Sequence, residues 1–333
     1  MKKLLLIATA FLTSMGSAFA INNNTVQVVY NGTTATVTVA NNISQYITVK
    51  SGTSSHVQIV QDSTFVGVDA NVDNEDGEII YSLSGTSTDG EFYMEGSFKA
   101  TVELNGLTLT NPSGAAIAIM DGKRIAVSVK SGTTNTLTDG VNETYNGSFH
   151  CKGHTKLKGK GTLNIVGNSK HGIYSKEYLE VKNLTLNVNS AAKDAIHCKE
   201  YFLMESGTVN ISGAGDDGIQ VELSSDPSTG ITTDHEDENT GNFYMTQGTL
   251  SITEFQNKAI KTDGIISKTG GTWNGFTTND TETVASVEGL TVETSQNEEA
   301  VYDLNGRQLP VNGQLRKGLY LVKKNGKVTK VLR

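Results

Sequence analysis

Ile173, Ile196 and Ile219 stand 23 residues apart, as do Leu163, Leu186 and Val209, and again Ile165, Val188 and Ile211. Three apolar files sharing one spacing restrict the chain to architectures in which a single unit is repeated and stacked on itself. Phe149 precedes Ile173 by 24, a one-residue adjustment at a corner, while Ile260 and Leu250 lie 41 beyond Ile219 and Val209. Since 41 is 23 plus 18, one insertion of about that size is expected between Val221 and Phe243. Inside the unit the pattern alternates with period two, as in Ile173-Tyr174-Ser175-Lys176 and Leu184-Thr185-Leu186-Asn187-Val188. Alternation of this kind belongs to strands, which excludes a helical solenoid, and a sandwich would not hold three files at one spacing. The pattern predicts an all-β, right-handed, single-stranded parallel β-helix with about 23 residues per coil.

A coil leaves its inward residues open above and below, so it folds only when stacking removes them from water at roughly 25 cal/mol per Å². The period and the composition (35 Gly, 3 Pro, many Thr, Ser, Asn and Val) place the β-helix over 99–273. Residues 21–98 alternate (Val26-Val28, Val37-Val39, Ile47-Val49) without the period and are expected to cap the first coil. Trp273 is expected to close the last one, and the polar, acidic stretch 274–299 reads as a linker. A small β unit with a basic end occupies 300–333, with Asn325-Gly326 as a hairpin turn. Residues 1–20 read as a secretory signal peptide: Lys2 and Lys3, then Leu4 to Leu12, then small residues at Ala18 and Ala20. No stretch is apolar for long enough to span a membrane, and the net charge of −8 argues against a nucleic-acid partner.

Export would favour a disulfide between Cys151 and Cys198, but the repeat opposes it. The two cysteines are equivalent positions two coils apart, roughly 9.6 Å at about 4.8 Å per coil, which is out of bonding reach. They are expected to be buried thiols.

Stacking turns one residue type into a column. Asp194 and Asp217 are 23 apart, with Asp216 alongside, and Asp263 follows the last coil's Ile260-Lys261-Thr262. Stacked carboxylates repel unless solvated or bridged by a cation, and calcium accepts six to eight oxygens in flexible geometry. Asp194, Asp216, Asp217 and Asp263 are therefore the candidate calcium ligands, against the alternative of a solvated corner with Lys193 or Lys258 as counter-charge. Lys176-Glu177-Tyr178 repeats as Lys199-Glu200-Tyr201. Tyrosines one coil apart would offer a flat strip for sugar rings, with Lys176 and Lys199 pairing uronate carboxylates. The alternative is that Tyr178 and Tyr201 cover a corner while their Glu and Lys neighbours pair across coils. Tyr174 and His197 also point outward. The run Asp234-His235-Glu236-Asp237-Glu238 reads as a solvated tip, and Asp69 to Asn74 lacks the glycine and glutamate of an EF-hand loop.

Several stretches together resemble a bacterial family of secreted carbohydrate-binding β-helix proteins. They are Lys99 to Gly106, Ala115-Ala116-Ile117, Asp121 to Val127, Ser131 to Gly140, Lys152-Gly153-His154, Lys170 to Ile173, Ser190 to Ile196 and Gly215 to Ile219. The resemblance implies calcium at acidic corners and affinity for plant cell-wall polysaccharide such as polygalacturonate or cellulose. The chain departs from the family's Asp-Gly-Ile at Asp194-Ala195-Ile196 and at Lys258-Ala259-Ile260. The C-terminal Tyr302-Asp303-Leu304-Asn305-Gly306-Arg307 and Lys317-Gly318-Leu319-Tyr320-Leu321-Val322 resemble a type IX secretion sorting domain. That resemblance implies export through the periplasm, the secretion machinery as a partner, and a secreted or cell-surface destination.

Catalysis has little support. A uronate lyase needs an arginine or lysine base beside its cation, and Arg124 is the sole arginine of the regular coils, in an earlier coil than the acidic column. Lys170, Lys193 and Lys258 carry no catalytic motif, and His150 and His197 stand beside no nucleophile elbow. The expected function is non-catalytic, calcium-dependent carbohydrate binding. The alternatives are a surface adhesin or structural solenoid with a protein partner, and a calcium-dependent pectate-type lyase.

Overall fold

The computed structural model describes residues 21–50, 54–67, 77–225, 238–283, 300–302, 308–309, 319–324 and 327–332. The signal segment, the Asp69–Asn74 stretch and the insertion's residues 226–237 lie outside them. The described chain is all-β, with two 3-10 turns (Ser44–Tyr46 and Thr278–Asp280), and divides into units 1–285 and 286–333. No helix among the described residues is long and apolar enough to cross a membrane.

The first unit consists of three columns of parallel strands visited in rotation. The first column includes Thr155–Gly159, Leu179–Lys182, Tyr201–Met204 and Asn242–Met245. The second includes Thr134–Asp139, Thr162–Gly167, Thr185–Ala191 and Thr208–Ile211, and the third Gly147–Cys151, His171–Ser175, Ile196–Lys199 and Ile219–Glu222. Each strand pairs with its counterpart one rung earlier and one rung later. The twelve-residue strand Ala100–Asn111 serves both the first and second columns and joins them into one sheet. Where that strand leaves one column for the other, the buried Asn135 side chain accepts a hydrogen bond from Leu107 N at 2.8 Å.

The pairing sets the core. Ile117, Phe149, Ile173, Ile196, Ile219 and Ile260 form one file, and Leu163, Leu186, Val209, Leu250 and Trp273 another. All but Trp273 are buried, and Trp273 packs half-buried on the last rung, where its ring lies 4.9 Å from that of Phe276. Ser175 stands between Cys151 and Cys198 in the same file, so the thiols are two rungs apart, free and buried. Burial pushes the Cys151 thiol up to about 12.

Parallel stacking begins earlier than the period suggests. Thr25–Asn31 pairs with Ile79–Ser87, which pairs with Ala100–Asn111, while His56–Gln61 pairs with Glu91–Glu95. The end is closed by antiparallel strands, Thr34–Val39 on one sheet and Ile47–Val49 on the other, which cover the open edges. At the far end the expected linker starts too soon. Thr272–Asn274 and Thr281–Thr283 still pair in the sheets, and Phe276 is buried. The final rung needs few apolar side chains, so its composition resembles a linker. Among its described residues the second unit shows four antiparallel strands: Ala300–Tyr302, Gln308–Leu309, Leu319–Lys324 and Lys327–Leu332. Most of the sorting-type motif, 303–307, lies outside the described residues.

Leu186 is fully buried between Leu163 and Val209. Leu186→Ala should cost about 2–5 kcal/mol in urea unfolding, whereas truncating the outward Thr185 should cost about 0.5 kcal/mol or less.

Candidate functional site

Alternation in the third column turns Ile173 and Ser175 inward, and Tyr174 and Lys176 outward. The outward row runs Tyr93, Ala118, His150, Tyr174, His197, Gln220, Lys261. Its rings stack: His150 lies 5.1 Å from Tyr174, and Tyr174 lies 5.5 Å from His197, with planes 18° and 23° apart. Lys152, Lys176 and Lys199 follow this row at the strand ends, and Lys170 and Lys193 precede it at the corner. Lys152 and Lys193 are exposed, and Lys170 Nζ donates to Asn146 Oδ1 at 3.2 Å. Above Lys199 the same position becomes Glu222, 3.5 Å from the Lys199 ammonium. Stacked rings thus lie between two lysine files.

The corner that opens these strands is acidic. Oxygens of Asp194, Asp216 and Asp217 lie within 4.8 Å of one another. Asp194 Oδ1 accepts from Asp217 N at 3.1 Å, and Asp217 Oδ1 accepts from Lys258 N at 2.9 Å, so each carboxylate ties its rung to the next. Asp217 Oδ2 is buried without a hydrogen bond, 3.5 Å from Lys261 Nζ. Burial raises the Asp217 carboxyl above its ordinary range, with Lys261 and the Lys258 amide opposing. For Asp194 burial acts in the same sense, yet His171 and His197 outweigh it and hold that carboxyl well below the usual value. Asp263 does not join the group. It follows its strand rather than preceding it, and its Oδ2 accepts from Leu223 N at 2.9 Å.

Tyr178 and Tyr201 do stack, at 4.7 Å and 23°, but they are 1 % and 2 % exposed and offer no outward strip. Tyr178 Oη accepts from Arg124 Nε at 2.9 Å, and Tyr201 Oη donates to Glu180 Oε1 at 3.1 Å. The rings cover a corner, the alternative that the repeat also allowed. Their stack ends on His154, whose ring is 4.4 Å from Tyr178 and whose Nδ1 lies 2.8 Å from Glu177 Oε2. The aromatic contribution to any ligand face passes to Tyr174.

A family model described as "carbohydrate-binding domain-containing protein" matches residues 67–313. The chain belongs to that family. A carbohydrate-binding domain-containing protein of Acetivibrio thermocellus is 26% identical over 112 residues, 31% of this chain and 39% of the relative. The match therefore spans well under half of that relative's length. The solved structure of a polysaccharide lyase-like protein from C. thermocellum, in a gadolinium derivative, aligns with a TM-score of 0.55 at 20% identity. The alignment covers 78% of this chain and 99% of that one, and at such identity it is a likeness of fold.

Two features of this carbohydrate-binding-domain chain escaped sequence reasoning. His171 occupies the corner position equivalent to Asp194, 23 residues earlier, and His197 follows Asp194 by three, so both imidazoles reach one carboxylate. Counting back one period from Asp194 would have found the first. Lys261 lies against Asp217 because it is equivalent to His197 and Gln220, which the register alone reveals.

Burial alone would lower the His154 imidazole, but Glu177 and Glu200 outweigh it and raise it to about 9. A group raised on folding stabilises fully below its unfolded value of about 6.5, and that contribution disappears as pH climbs through the folded value. Melting temperature should therefore fall between about pH 6.5 and 9, and the fall should be smaller in His154→Asn, as scanning calorimetry at several pH values would show.

Proposed function

We propose that this chain is a secreted, non-catalytic, calcium-dependent carbohydrate-binding protein built on a right-handed parallel β-helix, with an acidic cell-wall polysaccharide of the polygalacturonate type as ligand. Exported by its leader and a C-terminal sorting unit, it would act at or beyond the cell surface. The observation that carries the ligand class is the third column's outward row: Tyr174 and its stacked imidazoles between the lysine files Lys152-Lys176-Lys199 and Lys170-Lys193. The half-buried Tyr174, stacked between two buried imidazoles, offers its ring edge and hydroxyl to a sugar, and ammonium groups on either side suit uronate carboxylates. The lysines repeat at the rung spacing of about 4.8 Å, which supplies a linear polymer with recurring partners. Lys176 and Lys199 keep the role expected of them, now beside Tyr174.

Calcium is part of the same reading. Asp194, Asp216 and Asp217 would hold it, and the orphaned, buried Asp217 Oδ2 is the atom a hard cation would satisfy. The ion would neutralise the stacked carboxylates and bridge to an acidic glycan.

The lyase alternative is weakened by Lys261, the lysine nearest the acidic group. Its ammonium lies 3.5 Å from Asp217 Oδ2, engaged in an ion pair rather than free to accept a proton as a base. The reading is tested by electrophoresis through gels containing polygalacturonate. Mobility should fall in calcium and recover with a chelator, and Lys176→Gln with Lys199→Gln should weaken retention by roughly two- to fivefold per lysine. Equal migration with and without the glycan would end the proposal, and ultraviolet-absorbing unsaturated products would replace it with the lyase.

A further inference from the structure

The acidic corner has a second side made of imidazole. His171 opens the strand His171–Ser175, and His197 is the second residue of Ile196–Lys199 one rung on. Their ring centroids are 4.5 Å apart. Both Nδ1 atoms face one oxygen, Asp194 Oδ2, at 3.2 Å from His171 and 2.9 Å from His197. A donor atom from each of the three residues lies within 4.8 Å of the others.

The surroundings are those of a built site rather than a surface ion pair. His171, Asp194 and His197 are 9 %, 2 % and 7 % exposed. His171 Nδ1 is buried and makes no hydrogen bond of good geometry; it faces Asp194 Oδ2 at 3.2 Å, so the nitrogen is aimed into the cluster with its hydrogen-bonding capacity unmet. Leaving such a group unsatisfied in the interior is costly, and an electron-pair acceptor would relieve that cost. Asp194 divides its work, Oδ1 taking the Asp217 amide and Oδ2 facing the imidazoles. On the far side of His197, Nε2 lies 3.5 Å from Glu222 Oε2. Without a metal His197 Nδ1 shares a hydrogen bond with Asp194 Oδ2 at 2.9 Å, which a cation would replace, while the carboxylate at Nε2 would hold the other ring proton, as outer partners of ligating histidines do.

We propose that His171, Asp194 and His197 form a site for a divalent transition metal of the zinc class, through His171 Nδ1, His197 Nδ1 and Asp194 Oδ2. Zinc binds such nitrogens and oxygens at about 2.0–2.2 Å in a tetrahedron, which sets donors roughly 3.3 Å apart. The 3.2 and 2.9 Å separations lie close to that edge. Imidazole pairs favour zinc, copper, nickel and cobalt, whereas calcium takes oxygen, so this site shares Asp194 with the acidic group but is set apart from its Asp216–Asp217 side by two nitrogen donors. Three protein ligands leave a fourth position for water or a ligand donor. The proposal does not rest on glycan binding.

Cobalt, the visible stand-in for zinc, is the probe. Chelator-stripped full-length protein should take up one equivalent of Co2+ with a d–d absorption band that Zn2+ removes and a large excess of Ca2+ does not. His171→Ala and His197→Ala should abolish the band, and His154→Asn, which deletes an imidazole outside the cluster, should retain it. Cu2+ bound to the unaltered protein should show nitrogen superhyperfine coupling, a readout that needs no variant to fold. A wild-type spectrum matching aqueous cobalt, a band surviving His171→Ala, or an all-oxygen copper spectrum would each overturn the assignment. Glycan retardation is read separately, so its failure beside an intact cobalt band would end the glycan reading and leave the metal site standing.

Discussion

Every rung of the first unit gives its backbone hydrogen bonds to the rungs on either side, and that single constraint governs the rest. Parallel pairing in register brings residues one period apart to about 4.8 Å, so whatever chemistry a position carries is repeated down a column. For apolar residues repetition is benign and builds the core from Ile117 to Ile260. For amides it is favourable: Asn187 donates to Asn164 and Asn210 donates to Asn187, each at 2.8 Å. For charges repetition is costly, because like groups meet at close range.

The corner carrying Asp194 and Asp217 shows how that cost is met. Repulsion between the carboxylates is offset but not removed, since Asp194 and Asp216 still help to raise the Asp217 carboxyl. Asp194 and Asp217 each accept the amide of the following rung, Asp194 faces two imidazoles, and Asp217 faces the Lys261 ammonium. Replacing an aspartate by His171 one rung earlier also breaks the run of negative charge where a third carboxylate would have stood. Structural satisfaction and ligand capacity come from the same arrangement, since the oxygens and nitrogens brought together to solve the burial problem are also cation donors. The orphaned Asp217 Oδ2 and His171 Nδ1 mark where the protein's own groups leave that solution incomplete.

Sequence reading succeeded where rung length was constant and failed where it was not. From Leu157 onward the first column steps to Val181 and then to Met204 by 24 and 23, and the period is visible. Before it, the steps from Val26 through Tyr81, Val102 and Val127 to Leu157 are 55, 21, 25 and 30, so the stacking within 21–98 reads as a cap, although 99–157 already falls in the expected β-helix. Parity is the second limit. Alternation assigns inside and outside within a strand, and it placed Tyr174 correctly as outward. Tyr178 lies in the bend between columns, and Tyr201 is covered by its neighbours in the His154-Tyr178 stack, so neither exposure follows from alternation. In the His171–Asp194–His197 group, His171 is one period before Asp194 and legible by counting back, whereas His197 belongs to another column position, a relation that column-by-column reading does not display.

The three outward faces differ in what they have left to offer. On the first column charges are spent internally: Lys130 pairs with Glu103 at 2.7 Å, Lys156 with Glu180 at 2.5 Å, and Lys182 with Glu205. The second column is neutral, with Thr162, Thr185, Thr208 and Thr249 in one file beside the asparagine ladder. Among the described residues the third column sets exposed ammonium groups at Lys152 and Lys193 beside half-buried Tyr174, with a carboxylate cluster at its corner. A net charge of −8 repels an acidic polymer at long range, so binding needs a local surface of the opposite sign or an ion between the two. The third column supplies the first over the rungs from Lys152 to Lys199 and the donors for the second where Asp216 and Asp217 follow. On the proposed function, having both on one face would let a single extended chain meet lysines along part of its length and a cation farther on.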